Sequence, residues 1–349
     1  MIDAPVADCS YALGDMALSL GGELKAAKLA YVTLGTLNAQ RDNAVLVLHG
    51  YTSSHRFVLP DDPDNAQGSW AGLIGPGRAI DTQRYFVVAP NCLGSSYGST
   101  GPASINPKTG KPYGPDFPAL QFEDIVRAQH KLLKHLGVSH LQAVVGLSMG
   151  GFCGFQWSIQ YPDFLRQLIL VLTGPWGGIN AAASQNSVTH VLQSDPNWNG
   201  GWVYPNPDSM LATLKKIRIA TLTRYGVAQW LAEQHSTPQK ASHALDAMAS
   251  QWAARFDPNA MIVLREAINR FDVRPQLNQI QAEVLYVLAS TDHLFPPAIA
   301  KETLDALSAG AAKRVEHLLI ESKYGHYASS LDWERWSQTL SNFINNPSA

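Results

Sequence analysis

The stretch Gly146-Leu147-Ser148-Met149-Gly150-Gly151 constrains this chain more than any other. It matches G-x-S-x-G, a pattern that carries chemistry only as a sharp turn from a strand into a helix. Both flanks fit. Leu141–Val145, apolar but for Gln142, reads as a strand, and Gly150–Tyr161 reads as a helix stopped by Pro162. In such a turn the serine holds a strained backbone conformation that lifts its Oγ above the sheet. Gly146 and Gly150 leave room for the backbone passing close by. The helix start aims amide N–H groups, that of Met149 among them, at an oxyanion. Ser148 is therefore the candidate nucleophile.

The rest of the chain supplies a setting for such a turn. Short apolar runs recur at Leu29–Leu34, Ala44–Leu48, Tyr85–Ala89, Leu141–Val145 and Leu168–Leu172. They lack polar alternation, as strands buried on both faces of a parallel sheet do. Between two of them, Ile125, Ala128, Leu132 and Leu136 recur at helical spacing and Gly137 follows. This βαβ rhythm predicts an α/β fold with a mostly parallel, doubly wound sheet. The rhythm stops after Gly174. Helical patterns take over at Asp208–Tyr225, Ala228–His235, Lys240–Phe256 and Asn259–Phe271. Strand patterns return at Val284–Leu288 and Val315–Ile320, and Trp333–Ile344 reads as a closing helix. We expect a core of residues 1–174 and 278–349, interrupted by a helical lid of residues 175–277. A lid placed there lies over the carboxyl edge of the sheet, where open α/β sheets put their ligands.

A serine hydroxyl needs a base, and a histidine needs a carboxylate to orient it. In an elbow-type fold the chain order is Ser, then Asp or Glu, then His. His326 lies in the loop after Val315–Ile320, where it can hang over the elbow. His317 falls inside that strand, and His293 adjoins the best acid. Asp292 follows directly on Val284–Leu288; Asp272 and Glu302 are the alternatives. The second oxyanion donor belongs to the loop after Ala44–Leu48, His49-Gly50-Tyr51-Thr52, with the Tyr51 N–H as the choice. His49 precedes that turn and is expected to brace it.

Composition excludes other classes. With 26 basic and 28 acidic residues the net charge is −2, too little positive charge for a nucleic-acid partner. No apolar run approaches the ~18–20 residues that cross a bilayer. The first residues carry Asp3 and Asp8 without an apolar stretch, and the three cysteines form no CxxC pair. These features predict a cytoplasmic protein without a membrane partner. No G-x-G-x-x-G follows an early strand, Gly110-Lys111 is followed by Pro112, and H-E-x-x-H is absent. No metal or other cofactor is expected.

Several longer segments carry a likeness to a known family. They are Asp42–His49, Gly77–Phe86, the stretch Asn91 to Phe117 with Tyr97-Gly98-Ser99-Thr100-Gly101-Pro102, the elbow Ser148-Met149-Gly150-Gly151, Tyr161-Pro162-Asp163, Phe256-Asp257, Phe271-Asp272-Val273 and Tyr324-Gly325-His326. On these the chain resembles the homoserine O-acetyltransferase family of the α/β-hydrolase superfamily. The resemblance implies the α/β-hydrolase fold, a Ser148–Asp292–His326 triad, a helical lid and a homodimer.

Three positions depart from the family pattern. Tyr327 follows the histidine where the family usually has an aspartate that grips the amino group of homoserine. A lid arginine contacts the amino-acid carboxylate in that family, and Arg224 is near but out of register. Leu147 stands where a second glycine is common. With Tyr327 and Arg224 as substrate-binding candidates, these departures resemble the esterase branch. The expectation is a serine esterase for short, mainly acetyl, esters. The alternative is a homoserine O-acetyltransferase using acetyl-CoA, and a binding module without catalysis is the third reading.

Overall fold

A computed structural model describes residues 8–60, 68–177 and 187–347. Residues 1–7, with Asp3, and residues 178–186 of the expected lid lie outside the described residues. Eight strands form one sheet: β1 Cys9–Ala17, β2 Glu23–Leu34, β3 Ala44–Leu48, β4 Phe86–Pro90, β5 Leu141–Leu147, β6 Leu165–Val171, β7 Glu283–Ala289 and β8 Val315–Ile320. Their order across the sheet is β1-β2-β4-β3-β5-β6-β7-β8. β1 pairs antiparallel with β2, and β2 antiparallel with β4. Every other pairing is parallel.

The central strands are apolar along most of their length because each face of the sheet is covered, with Gln142, Gln167 and Glu283 bonded to one another near their starts. In β3, Ala44, Leu46 and Leu48 enter one apolar layer, and Val45 and Val47 enter the other. The first layer takes helices α1 (Phe122–His135) and α2 (Met149–Gln160); the second takes the C-terminal helix through Trp336, Leu340 and Phe343. The α1 start is capped by Asp124, which accepts the Gln121 N–H at 3.1 Å.

The antiparallel β1 and the first half of β2 are absent from the sequence reading. β1 alternates more and less covered side chains only as far as Gly14, where two exposed residues follow in a row and the register shifts on both sides. A bulged edge strand breaks the period on which such a reading depends. His317 falls within a strand, as expected, but not in the core. It lies exposed on β8, the edge strand, with its ring centroid 6.1 Å from that of Tyr286.

Between β6 and β7 the described residues hold helices α3 (Val188–Gln193), α4 (Leu211–Arg224), α5 (Val227–Gln234), α6 (Pro238–Ala253) and α7 (Pro258–Arg270). The stems of this segment pair with each other: Gly177 N–H donates to Phe271 and Val273 N–H to Pro175. Gly226, at φ 92°, separates α4 from α5. After β7 come α8 (Ala300–Ser308), the short α9 (Ala328–Leu331) and α10 (Glu334–Asn345). Among the described residues no helix is long and apolar enough to cross a membrane, and no cluster of His, Cys, Asp or Glu could hold a metal ion.

Candidate active site

Ser148 stands between β5 and α2 with φ 55° and ψ −116°. A non-glycine residue is strained there, and the neighbours hold it in place. Its N–H donates to the Val171 carbonyl at 2.9 Å, and its carbonyl accepts from Thr173 Oγ1 at 2.8 Å. A β-carbon on Gly146 would come within 2.2 Å of the Gly150 carbonyl oxygen. One on Gly150 would come equally close to that of Leu48. Both glycines are thus required by backbone contact.

The loops after β7 and β8 bring the other two candidates to the serine. His326 Nε2 lies 2.9 Å from Ser148 Oγ, and Nδ1 lies 2.8 Å from Asp292 Oδ2. The remaining Asp292 oxygen accepts the N–H groups of Leu294 at 2.8 Å and Phe295 at 3.3 Å, which fixes the carboxylate. Thr291 Oγ1 donates to the Ser322 carbonyl and accepts the Gly325 N–H, tying the two loops together. The imidazole sits between the rings of Tyr225 and Phe295, with centroids 4.8 Å and 5.7 Å away. Ser148, Asp292 and His326 are all buried. Of the alternatives, Asp272 pairs with Arg274 on the surface, and Glu302 and His293 are exposed.

His49 is a brace. Its Nδ1–H donates to the Gly50 carbonyl at 2.8 Å, and Nε2 accepts the Cys92 N–H at 3.0 Å. Burial pushes its pKa down to about 4, so the ring stays neutral with both nitrogens engaged. The amides of Tyr51 and Met149, the expected oxyanion donors, make no hydrogen bond among the described residues. The Tyr51 side chain reaches away to the lid: its hydroxyl donates to the Met261 carbonyl at 2.5 Å.

The lid arginine requires a correction. Arg224 is exposed at the end of α4, and the buried arginine of that helix is Arg218, 2% exposed. Its Nη1 donates to Thr52 Oγ1 at 3.2 Å, beside the oxyanion loop, and its Nε has no partner among the described residues. The Trp252 ring lies 5.3 Å from its guanidinium carbon. No carboxylate among the described residues pairs with it, and burial lowers its pKa. The phenols of Tyr327, Tyr225 and Tyr97 are close enough to act on its charge. One signal was in the sequence: Arg218 falls on the stripe Leu214–Arg218–Leu222, where every other residue is apolar.

Tyr327, the other substrate-binding candidate, packs with Leu222, Tyr225, Val227, Leu231 and Ala241 in an apolar cluster shared with the lid. Burial pushes its phenol up to about 12. It offers no negative charge.

Residues 43–332 match the model of the α/β-hydrolase fold family. A homoserine O-acetyltransferase from Thermobifida fusca is 38% identical over 330 residues, covering 88% of this chain and 86% of that protein. The chain belongs to the homoserine O-acetyltransferase family of the α/β-hydrolase superfamily. Among solved structures, the homoserine O-acetyltransferase from Bacillus anthracis superposes with a TM-score of 0.85 at 26% identity, covering 99% of each chain. Esterase E22 superposes equally well, also at 26% identity, covering 97% of this chain and all of that one. The family fold thus carries both names at similar distance from this protein.

Proposed function

We propose that the protein is an O-acyltransferase that moves an acetyl group from acetyl-CoA, through Ser148, to the hydroxyl of homoserine or a closely similar hydroxy amino acid. The observation that carries this reading is Arg218. A buried guanidinium without an acidic partner is costly, and evolution tolerates it where a ligand supplies the anion. The carboxylate of an amino-acid acceptor is such an anion. This reverses the preference drawn from sequence, which favoured ester hydrolysis because Tyr327 replaces the expected aspartate and Arg224 lies out of register. The names of the relatives support the same side.

In this mechanism His326 takes the Ser148 proton as Oγ attacks the thioester carbonyl. The amides of Tyr51 and Met149 hold the oxyanion, each donor contributing ~3–4 kcal/mol. Collapse breaks the C–S bond, and His326 protonates the leaving thiolate. The acceptor hydroxyl then gives its proton to His326 and attacks the acetyl-serine. Collapse of that second intermediate returns the proton to Ser148 Oγ. Asp292 holds the Nδ1–H tautomer and stabilises the imidazolium.

One observation favours a second reading. Tyr327 gives the acceptor ammonium no counter-charge, which fits an acetyl-ester hydrolase with water as acceptor. The experiment is to follow O-acetylhomoserine and acetate together, from acetyl-CoA with homoserine and from simple acetate esters. Transfer to homoserine faster than ester hydrolysis is expected. Acetate as the sole product overturns the transferase in favour of the esterase.

A further inference from the structure

Side chains from three lid helices also hold the oxyanion loop in place. Three ties reach Tyr51 and Thr52. The Tyr51 hydroxyl donates to the Met261 carbonyl on α7 at 2.5 Å. The Trp252 indole N–H, from α6, donates to the Thr52 carbonyl at 3.0 Å. Arg218, from α4, donates to Thr52 Oγ1. The Arg265 guanidinium carbon also stands 5.4 Å from the centre of the Tyr51 ring. These ties are buried: Tyr51 is 7% exposed, Thr52 2% and Trp252 3%.

The loop they hold has little support of its own. It runs from β3 to a short 3-10 turn at His55–Val58, and Tyr51 and Thr52 give no backbone N–H to the rest of the protein among the described residues. From the core side, His49 fixes the start of the loop through Gly50 and Cys92, and one bond within it, from the Ser53 N–H to the Gly50 carbonyl at 3.2 Å, closes the turn. The Met149 amide is different, being set by α2 and the elbow. Of the two oxyanion donors, one is thus built into the core and the other hangs between core and lid.

We propose that Trp252 and the Tyr51 phenol are positioning residues that set the oxyanion hole from the lid. They act through the Tyr51 backbone amide and touch no reacting atom. The proposal rests on the reading of Tyr51 N–H as an oxyanion donor to a Ser148 adduct. An amide misplaced by a fraction of an ångström loses most of its value to the transition state and little to the ground state. Loosening either tie therefore lowers kcat and leaves KM for acetyl-CoA nearly unchanged.

An alkyl boronic acid tests this separately from turnover. Ser148 Oγ bonds to boron, the hydroxyl proton passes to His326, and the tetrahedral, negatively charged boronate places an oxygen where the oxyanion forms. The variants are Trp252→Phe, which keeps the stacking on Phe256 (centroids 4.7 Å apart), and Tyr51→Phe, which deletes one hydroxyl. Each is expected to weaken propaneboronic acid about tenfold and to lower kcat about tenfold, with KM changed by less than about twofold. Trp157→Phe is the control. It breaks another buried indole bond, from the far part of α2 to Gln129 Oε1 on α1 at 2.8 Å, and leaves all three quantities as they are. Unchanged boronate affinity in both variants, or an equal loss in the control, overturns the proposal. Failure of the unmodified protein to bind the boronate at all instead overturns the serine reading beneath it.

Discussion

Arg218→Met tests acceptor binding while removing one of the three lid ties to the oxyanion loop. The parent side chain is 2% exposed, carries no acidic partner among the described residues, and has its pKa lowered by burial. Methionine fills a similar volume without the charge. For the folded protein the change removes a desolvated cation, worth ~1–4 kcal/mol in favour of the variant by analogy with buried ion replacements. It forfeits the bond to Thr52 and the contact with Trp252, worth together ~1–3 kcal/mol. Stability should therefore stay level or rise slightly. For the reaction, losing a buried partner of the acceptor carboxylate costs ~2–5 kcal/mol. That is roughly 30- to 5,000-fold in kcat/KM for homoserine. The first half-reaction, read as the rapid burst of CoA thiol, needs no acceptor and should fall less than about tenfold. Urea unfolding, steady-state kinetics with homoserine and rapid-quench burst kinetics give the three numbers. A parallel fall of burst and homoserine kcat/KM would refute the reasoning. So would a variant that loses several kcal/mol of stability while homoserine transfer persists.

Other outcomes follow from the same geometry. Ser148→Ala should fold normally and lose on the order of 10⁶ in kcat, checked by stopped assays over hours; a tenth of the parent rate would end the serine mechanism. Asp292→Asn should keep the fold and lose about 10⁴ in kcat, because the amide no longer fixes the imidazole tautomer; a loss below tenfold would remove Asp292 from its role. His49 predicts a pH dependence of stability. Its folded pKa, about 4, lies below the unfolded value, so the unfolded chain takes up the proton first. Its contribution is complete above about pH 6.5 and is lost as the pH falls toward 4, amounting to roughly 3 kcal/mol. Urea unfolding at several pH values should show a flatter acid limb in His49→Gln than in the parent, and identical limbs would contradict the assignment.

The elbow was legible in the sequence because three local constraints coincide there: an apolar strand, glycines where backbones touch, and a helix start. Asp292 and His326 were legible from chain order and from their place just after strands, which is where the structure holds them. Arg218 was not. Its signal, a charge on an apolar helical stripe, becomes meaningful only once the helix is seen against Thr52. The lid ties were illegible for a similar reason, since Trp252 and Thr52 are 200 residues apart in sequence and no local pattern links them. β1 escaped because a bulge at Gly14 breaks its alternation. The burial of Tyr327 under the lid likewise depends on the turn at Gly226, which lets Tyr225 accept the Tyr327 N–H at 3.2 Å.

The central claim is an acetyl group resting on Ser148 that homoserine removes. The most direct measurement is intact-protein and peptide mass spectrometry after rapid mixing with acetyl-CoA and acid quench. A single acetyl group on the peptide carrying Ser148 is expected, stable for many turnovers in buffer and discharged within one turnover time when homoserine is added, with O-acetylhomoserine formed in equal amount. No acetylation of Ser148 would contradict the mechanism, and an acetyl group that water removes as fast as homoserine does would contradict the transferase assignment.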